Sequence, residues 1–408
     1  MNVPARRLGL FAAALAVVLS TGTAHADRAP EWSGAWSASP QAPSTGFAPN
    51  WSEHGFDGET IRQVVRVSAG GAAVRVRLSN EYGKAPLKVA GATIARTVKG
   101  ADVKDVRPLT FGGEPSTTIA AGRRVATDAA RLRVKPFESV AVTLYLSGRT
   151  GPATFHAQGY ATTYRADGDH RADRDGAAFM DTTVSWYYLT DVEVDGGPPA
   201  RDAVVTLGDS ITDGFGSTTD ANNRFSDELA EHLKRPVLNQ GIGGNRVLTD
   251  SAWYGERALD RLRRDVLSKP DVGTLFVLEG INDIGFSDWA GEATAVPRTR
   301  VSAAQLIEGH RALIKRAHAK GIKVVGATLL PYKGSQYFTA RGERVRDALN
   351  TWIRTSGAYD AVVDFDKIMA DPADPDQINP VYDSGDKLHP GDAGYRVMAE
   401  AVDPRILG

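Results

Sequence analysis

The spacing of hydrophobic and polar positions changes near residue 197. In residues 27–197, short runs rich in β-branched residues alternate with turns rich in Gly, Pro and Asn. Regular short runs of this kind predict an N-terminal domain built as an antiparallel β-sandwich or jelly roll. The clearest of these runs are residues 61–67, 73–78, 87–94 and 140–146. The stretch Gly196-Gly197-Pro198-Pro199 is typical of a linker.

Residues 198–408 show a second pattern, in which apolar runs of strand length alternate with longer helical patterns. The alternation predicts an α/β domain with a flavodoxin-like, doubly wound parallel sheet. The predicted strands are residues 203–207, 237–239, 274–278, 323–329 and 361–364. The predicted helices are residues 223–233, 255–267, 303–319, 339–355 and 392–402. Ligands of such sheets bind beyond the carboxyl ends of the strands.

Polar motifs occur where this rule expects a ligand site. Ser210 follows the first predicted strand, residues 241–245 follow the second, and residues 280–283 follow the third. His389 precedes the last predicted helix. We therefore expect four segments that are distant in the chain to converge on one edge of the sheet.

Ser210 and His389 together suggest nucleophilic catalysis, because a serine hydroxyl needs an imidazole to take its proton. The alternative for Ser210 is a helix N-cap, which serine favours. Of the eight histidines, His25 lies in a predicted signal, three lie in the β-rich domain (His54, His156 and His170), and three fall on helical patterns (His232, His310 and His318). Only His389 lies in a polar loop, so it is the candidate base.

The third candidate is Asp386, in Asp386-Lys387-Leu388-His389. A carboxylate three residues before the histidine can fold onto the imidazole and fix its tautomer and orientation. Asp383 and Asp392 are rivals, and each of the three carboxylates has the alternative role of a helix cap. Loop geometry favours Asp386 as the orienting carboxylate.

Acyl transfer also needs donors for a developing oxyanion. Asn282 offers a side-chain amide, Gly244 a backbone N–H, and Ser210 its own N–H. The structural alternatives are an ordinary tight turn at Gly243-Gly244 and a turn-forming side chain at Asn282.

Composition limits the remaining classes of function. Arg6 and Arg7 precede an apolar run, residues 8–19, and Ala24-His25-Ala26 matches a cleavage site. Residues 1–26 are therefore predicted to be a signal peptide, with a secreted mature protein and with the Sec and Tat routes both open. The remaining 46 basic and 49 acidic residues predict no nucleic-acid partner. No cysteine is present, and no later apolar run is long enough for a stable membrane span.

At this point the chain resembles the SGNH hydrolase superfamily, the GDSL-type esterases and lipases. The matching blocks are Gly208-Asp209-Ser210, Gly241-Ile242-Gly243-Gly244-Asn245, Gly280-Ile281-Asn282-Asp283 and Asp386-Lys387-Leu388-His389-Pro390. The resemblance implies that Ser210 is the nucleophile and that His389 and Asp386 are its partners. It also implies that Gly244, rather than Gly241, forms the oxyanion hole together with Asn282. The opening Trp32-Ser33-Gly34-Ala35-Trp36 is similar to secreted actinobacterial proteins of a xylan-esterase-like branch.

The predicted activity is hydrolysis of short-chain, acetyl-type esters on a small molecule or polysaccharide, without a cofactor or metal. Trp36, Trp51, Trp186 and Tyr187 are candidates for stacking on sugars, although tryptophans in β-domains usually lie in the core. A lipase or acyltransferase of the same fold, and a noncatalytic glycan-binding protein, remain alternatives. A further alternative is metal-assisted phosphoester cleavage by Asp209, Asp213, Asn282 and His389. The oligomeric state is not predicted.

Overall fold

The computed structural model describes Met1 and residues 32–196, 201–289 and 294–407. The predicted signal peptide, residues 1–26, and the linker residues 197–199 lie outside the described part of the chain. Within the described part, no helix is both long and apolar enough to cross a lipid bilayer. Residues 32–196 are called the N-terminal half below, and residues 201–407 the C-terminal half.

The N-terminal half is built from antiparallel strands. They are β1 (Trp32–Ser37), β2 (Glu59–Arg66), β3 (Ala73–Ser79), β4 (Leu87–Val89), β5 (Gly91–Lys99), β6 (Asp102–Leu109), β7 (Thr117–Ile119), β8 (Arg124–Ala126), β9 (Ser139–Leu146), β10 (Phe155–His156), β11 (Thr163–Asp167), β12 (Asp181–Thr183), β13 (Trp186–Tyr187) and β14 (Leu189–Asp195). The two larger sheets have the strand orders β1-β14-β3-β8 and β12-β11-β2-β9-β5-β6. One apolar core draws on both sheets, so the predicted antiparallel, sheet-rich N-terminal unit is present.

The alternation of side chains between the two faces of each central strand explains this core. In β9, Val140, Val142, Leu144 and Leu146 are fully buried, because successive side chains of a strand point to opposite faces. The prediction of one continuous run over residues 87–94 was wrong, because these residues belong to two strands, β4 and β5. β4 pairs with β7, whereas β5 pairs with β6 and β9. A composition of β-branched residues does not reveal which partner a strand will choose.

The C-terminal half contains a five-stranded parallel sheet of order β16-β15-β17-β18-β19. Its strands are β15 (Ala203–Gly208), β16 (Val237–Gly241), β17 (Val272–Leu278), β18 (Lys323–Ala327) and β19 (Ala361–Val363). A short hairpin follows, of β20 (Ala370–Asp371) and β21 (Asp374–Ile378). The first strand of the sheet therefore lies between the second and the third, which is the flavodoxin-like doubly wound order.

Helices separate these strands. They are α1 (Ser210–Asp213), α2 (Phe225–Leu233), α3 (Ala258–Leu262), α4 (Ile281–Asp288), α5 (Ala303–His318), α6 (Ala340–Thr355), α7 (Phe365–Met369) and α8 (Asp392–Glu400). α3 continues into a π-helical turn, Arg263–Leu267, and a 3₁₀ turn, Pro404–Leu407, ends the described chain. The helix predicted over 255–267 thus begins three residues later, because Ser251 and Gly255 form an isolated β-bridge.

The strand predicted over 323–329 ends earlier, at Ala327. Asn350 explains the difference, because its side-chain amide bonds to both backbone groups of Leu329. The Leu329 N–H donates to Asn350 Oδ1 over 2.8 Å, and Asn350 Nδ2 donates to the Leu329 carbonyl over 2.9 Å. The backbone therefore leaves the sheet with its polar groups satisfied.

The two halves share a polar, largely buried contact. Ser39 Oγ bonds to Gln240 Oε1 over 2.7 Å and to Asp265 Oδ2 over 3.0 Å. At the edge of the contact, Arg66 pairs with Glu231 over 2.6 Å. The N-terminal half therefore packs directly against the parallel sheet, in the region where the second strand of that sheet ends.

Candidate active site

Ser210 follows the carboxyl end of strand β15 and begins α1. The residue before it, Asp209, is the N-cap, and its side chain accepts the Ile211 N–H over 3.0 Å. The N-cap alternative for Ser210 is therefore wrong, because Asp209 already fills that position. A Cβ on Gly208 would lie 2.0 Å from Thr212 Oγ1 and 2.3 Å from the Leu278 carbonyl oxygen, so the tight turn requires glycine here.

Ser210, His389 and Asp386 form a continuous chain of hydrogen bonds. His389 Nδ1 lies 2.6 Å from Asp386 Oδ2, and His389 Nε2 lies 2.8 Å from Ser210 Oγ. A carboxylate only accepts, so Nδ1 carries the proton and Nε2 accepts from the serine hydroxyl. This tautomer is the one that a general base beside a serine needs.

The local fold of the last loop explains why Asp386 is the partner. Its Oδ1 accepts the backbone N–H groups of Leu388 and His389 over 2.9 and 2.8 Å, which leaves Oδ2 for the imidazole. The rivals are engaged elsewhere. Asp383 accepts the N–H groups of Gly385 and Lys387, and Asp392 binds the N–H and hydroxyl of Thr218.

Electrostatics keep Asp386 charged. Burial alone would raise its pKa, but the hydrogen bonds and charge of His389 and the N–H of Leu388 outweigh that effect and lower the pKa to about 2. Asp386 is therefore an anion at neutral pH and can stabilise a positive charge on His389.

The glycine-rich segment after β16 supplies the candidate backbone donor. The N–H groups of Gly241 and Gly243 already donate to Asn239 Oδ1 over 2.8 Å and to Asp213 Oδ2 over 3.2 Å. Gly244 lines the same cleft as Ser210 and His389. It has φ +74°, and a Cβ there would lie 2.3 Å from the Tyr254 ring, so only glycine fits. Of Gly241, Gly243 and Gly244, only Gly244 lines the cleft, and its role as an oxyanion donor stays a prediction.

Asn282 lies in the first turn of α4 and is almost fully buried. Its Nδ2 donates to the Asn245 carbonyl over 3.0 Å, which ties it to the segment that contains Gly244. One N–H of an amide is used by this bond, and an amide nitrogen carries two. Its role as an oxyanion donor stays a prediction that rests on the second N–H.

Replacement of Asn282 by alanine is expected to lower kcat about a hundredfold, since one oxyanion donor typically contributes two to three orders of magnitude. KM for the same ester should change little, because the oxyanion exists only after attack. Steady-state kinetics of Asn282→Ala would measure both constants, with Asn222→Ala, in a loop between α1 and α2, as the matched control. An unchanged kcat in Asn282→Ala would remove the residue from the oxyanion hole.

The site also depends on Arg261, a fully buried residue that was not among the candidates. Its guanidinium donates to the carbonyls of Gly208 and Gln240 over 2.9 and 2.6 Å and to Asn245 Oδ1 over 2.9 Å. It therefore joins the ends of β15 and β16 to the loop that follows β16. An arginine on a helical pattern gives no sequence signal of this role, because most arginines on helices are exposed.

His156 of the N-terminal half is a second residue that sequence reasoning missed. Its Nε2 lies 3.0 Å from Asp213 Oδ1, and its Nδ1 lies 2.9 Å from the Ser39 carbonyl. Asp213 belongs to the helix that Ser210 begins, and its other oxygen holds Gly243. Burial lowers the pKa of His156, but the charge and hydrogen bond of Asp213 outweigh it, so the net shift is upward. The N-terminal half thus supports the loop that carries Gly244.

A buried carboxyl lies near Asp209, the residue before Ser210. Glu279 is fully buried, neither carboxyl oxygen has a hydrogen-bond partner among the described residues, and Arg261 lies 3.9 Å away. Burial, together with the neighbouring Asp209, raises the pKa of Glu279 well above its ordinary value. The folded protein therefore holds a proton on Glu279 up to a higher pH than the unfolded chain does.

Glu279→Gln is expected to flatten the pH dependence of stability. A carboxyl whose pKa is raised by folding stabilises the folded state at low pH, and this contribution is lost as pH rises through the folded-state pKa. The slope reaches at most about 1.4 kcal/mol per pH unit for one proton. Urea unfolding between pH 5 and pH 8 would show a smaller decrease in Glu279→Gln than in wild type. The exposed Glu114→Gln serves as control, and equal slopes in all three proteins would contradict this expectation.

Ser210, His389 and Asp386 border a cleft of about 420 Å³. Its wall is rich in aromatic rings, supplied by Phe47, Phe215, Trp253, Tyr254, Phe286, Trp289 and Tyr337. The stacking candidates from the sequence do not line it. Trp36, Trp186 and Tyr187 are buried in the core of the N-terminal half, and Trp51 packs against that core. The aromatic wall instead belongs mainly to loops of the C-terminal half, which carry no periodicity that sequence inspection can detect.

The four residues of the metal alternative do not form one site. Asp209 caps α1, Asp213 bonds to His156, Asn282 bonds to Asn245, and His389 bonds to Ser210 and Asp386. Within residues 32–196, 201–289 and 294–407, no group of three or more His, Asp or Glu side chains is arranged to hold a metal ion.

A parallel α/β sheet with a hydrogen-bonded Ser, His and Asp at its carboxyl edge is the arrangement of a serine hydrolase. Residues 206–397 match the GDSL-like Lipase/Acylhydrolase family. This part of the chain is similar to that family, and the protein is a carboxylic ester hydrolase.

Among solved structures, the chain is similar to a lipolytic protein of the G-D-S-L family from Desulfitobacterium hafniense, with 21% identity over 50% of this chain and 99% of that chain at a TM-score of 0.39. A GDSL-like lipase from Bacteroides thetaiotaomicron shares 21% identity over 50% of this chain and 88% of that chain, with a TM-score of 0.37. A family two carbohydrate esterase from Cellvibrio japonicus shares 11% identity over 93% and 96% of the two chains, also with a TM-score of 0.37. No curated protein matches the sequence.

Proposed function

We propose that the protein is an exported esterase that removes short acyl groups, acetyl above all, from small or polymeric carbohydrate esters. The observation that carries the proposal is the chain of hydrogen bonds from Ser210 through His389 to Asp386, at 2.8 and 2.6 Å. Export rests on the basic, apolar and small-residue pattern of residues 1–26.

In the proposed reaction, Ser210 Oγ attacks the ester carbonyl carbon while His389 Nε2 takes the hydroxyl proton. The carbonyl oxygen becomes an oxyanion, which the N–H groups of Gly244 and Ser210 and the Asn282 amide would bind. His389 then gives its proton to the leaving alcohol, and an acyl ester forms on Ser210. A water molecule repeats the sequence with His389 as base, which releases the carboxylic acid and restores the serine.

Two features support a short acyl group. The cleft, at about 420 Å³, is near the lower end of the roughly 300–1,000 Å³ that ligand pockets occupy. Its wall next to Gly244 is closed by the Tyr254 ring, which contacts the glycine directly. A small acyl group and one ring of an alcohol fit such a space better than an extended fatty chain.

Initial rates on 4-nitrophenyl esters of acetate, butyrate and palmitate, with and without EDTA, test this proposal. The expected order is acetate, butyrate and then palmitate, with acetate at least tenfold faster than palmitate and with EDTA without effect. Release of acetate from acetylated xylan tests whether the protein acts on a carbohydrate ester. Preference for palmitate would indicate a lipase, transfer to an added alcohol without release of acid would indicate an acyltransferase, and no turnover would indicate a noncatalytic binding protein.

A further inference from the structure

Two residues of the N-terminal half reach the cleft of the C-terminal half. Phe47 and Gln158 both line it together with Ser210 and Gly244. The ring of Phe47 stacks on Tyr254 with centroids 5.6 Å apart and an interplanar angle of 27°, yet the residue remains 47% exposed. A large exposed ring at the edge of a reaction cleft is available to contact a ligand.

The loop that carries Phe47 is fixed before any substrate arrives. Asn50 Nδ2 lies 3.3, 2.8 and 3.2 Å from the carbonyls of Ser44, Thr45 and Ala48. Ser52 Oγ donates to the Ser44 carbonyl over 2.8 Å and accepts the Ser44 N–H over 3.2 Å. These bonds hold the loop at both ends, so little conformational entropy is lost in ordering Phe47 when a ligand binds.

Gln158 presents a polar group beside this ring. Its Nε2 donates to the Tyr160 hydroxyl over 3.0 Å. Its Oε1 is buried and has no hydrogen-bond partner among the described residues. That oxygen lies against Gly243, where a Cβ would come within 1.9 Å of it. A buried acceptor without a donor is costly, and a donor group on a ligand in the cleft would remove that cost.

We propose that Phe47 and Gln158 form the subsite for the alcohol part of the ester, and that this alcohol is a ring with a hydroxyl next to the esterified carbon. The inference rests on the proposed esterase function. An acetyl group has no ring face for Phe47 and no donor for Gln158 Oε1, so it cannot use both contacts. A hydroxylated ring offers both, with its apolar face for Phe47 and its hydroxyl for Gln158 Oε1.

Three acetate esters distinguish the contact with the Phe47 ring from the hydrogen bond to Gln158. Ethyl acetate has no ring, cyclohexyl acetate has a ring without a donor, and trans-1,2-cyclohexanediol monoacetate adds the neighbouring hydroxyl. In wild type, kcat/KM is expected to rise about tenfold at each step, through ring contact and then one hydrogen bond. Phe47→Ala should remove most of the first step, and Gln158→Met most of the second. Gln158→Glu, which keeps an acceptor, should retain the preference for the hydroxyl.

The comparison uses ratios of kcat/KM within each variant, so a general loss of active protein does not alter the result. Val98→Ala, an exposed apolar residue of β5 in the same half, is the matched control and should keep both ratios. If ethyl acetate is cleaved and both ratios are the same in Phe47→Ala, Gln158→Met and wild type, the subsite is wrong while the esterase function stands. If none of the acetates is cleaved by wild type, the esterase function fails and the subsite with it.

Discussion

Ser210→Ala is expected to lower kcat on 4-nitrophenyl acetate by about 10⁴- to 10⁶-fold, the range found when the nucleophile of a serine hydrolase is removed. The loss follows because water must replace a hydroxyl that lies 2.8 Å from its base. Steady-state rates at high enzyme concentration would measure the residual kcat of the variant. Stability should not fall, since the serine hydroxyl bonds to His389 alone among the described side chains.

The matched control for this variant is Ser217→Ala. Ser217 lies in the same region after α1, and its hydroxyl donates to the Gly214 carbonyl over 2.7 Å without contact to His389. It should change kcat by less than about threefold, in line with the small contribution of one ordinary hydrogen bond. A Ser210→Ala protein with more than about a tenth of wild-type kcat would contradict the assignment of the nucleophile.

Asp386→Asn is expected to lower kcat by about 10⁴-fold, with a small change in KM. An asparagine side chain presents an N–H to His389 Nδ1, which then accepts instead of donating. The imidazole therefore carries its proton on Nε2 and cannot take one from Ser210. The measurement is kcat for hydrolysis of 4-nitrophenyl acetate at several pH values, because a wrong tautomer lowers the rate throughout the range rather than shifting one limb.

Asp383→Asn provides a control in the same loop. Its carboxylate accepts backbone N–H groups of Gly385 and Lys387 and makes no hydrogen bond to the imidazole. Its effect on kcat should be below about threefold. Equal losses in Asp383→Asn and Asp386→Asn would show that loop folding, rather than orientation of His389, accounts for the change.

Much of the C-terminal half follows from the sequence. Strands buried on both faces are continuous apolar runs, so β15 and β17 could be placed within two residues of their observed bounds. The edge of the sheet where Ser210, Gly244 and Asn282 lie follows from the rule that parallel strands present their carboxyl ends together. The contact of Asp386 with His389 could be anticipated because the two residues are three positions apart in one loop.

The parts that the sequence does not reveal depend on contacts between distant segments. His156 reaches Asp213 across 57 positions, and Arg261 contacts Gly208 across 53. Neither lies in a motif, and a histidine in a β-rich segment is more often part of an ordinary core. Phe47 is hidden in the same way, because its place in the cleft depends on how the two halves pack. The contribution of the N-terminal half is therefore visible only in three dimensions.

The central claim is that His389 activates the hydroxyl of Ser210 for attack on a carbonyl. Reaction with a fluorophosphonate, followed by intact-mass and peptide-mass analysis, tests it without assuming a substrate. The expected result is one adduct per chain, located on Ser210, with labelling at least about a thousandfold slower in His389→Ala. No adduct on the folded wild-type protein, or an adduct on a different residue that persists in Ser210→Ala, would contradict the account.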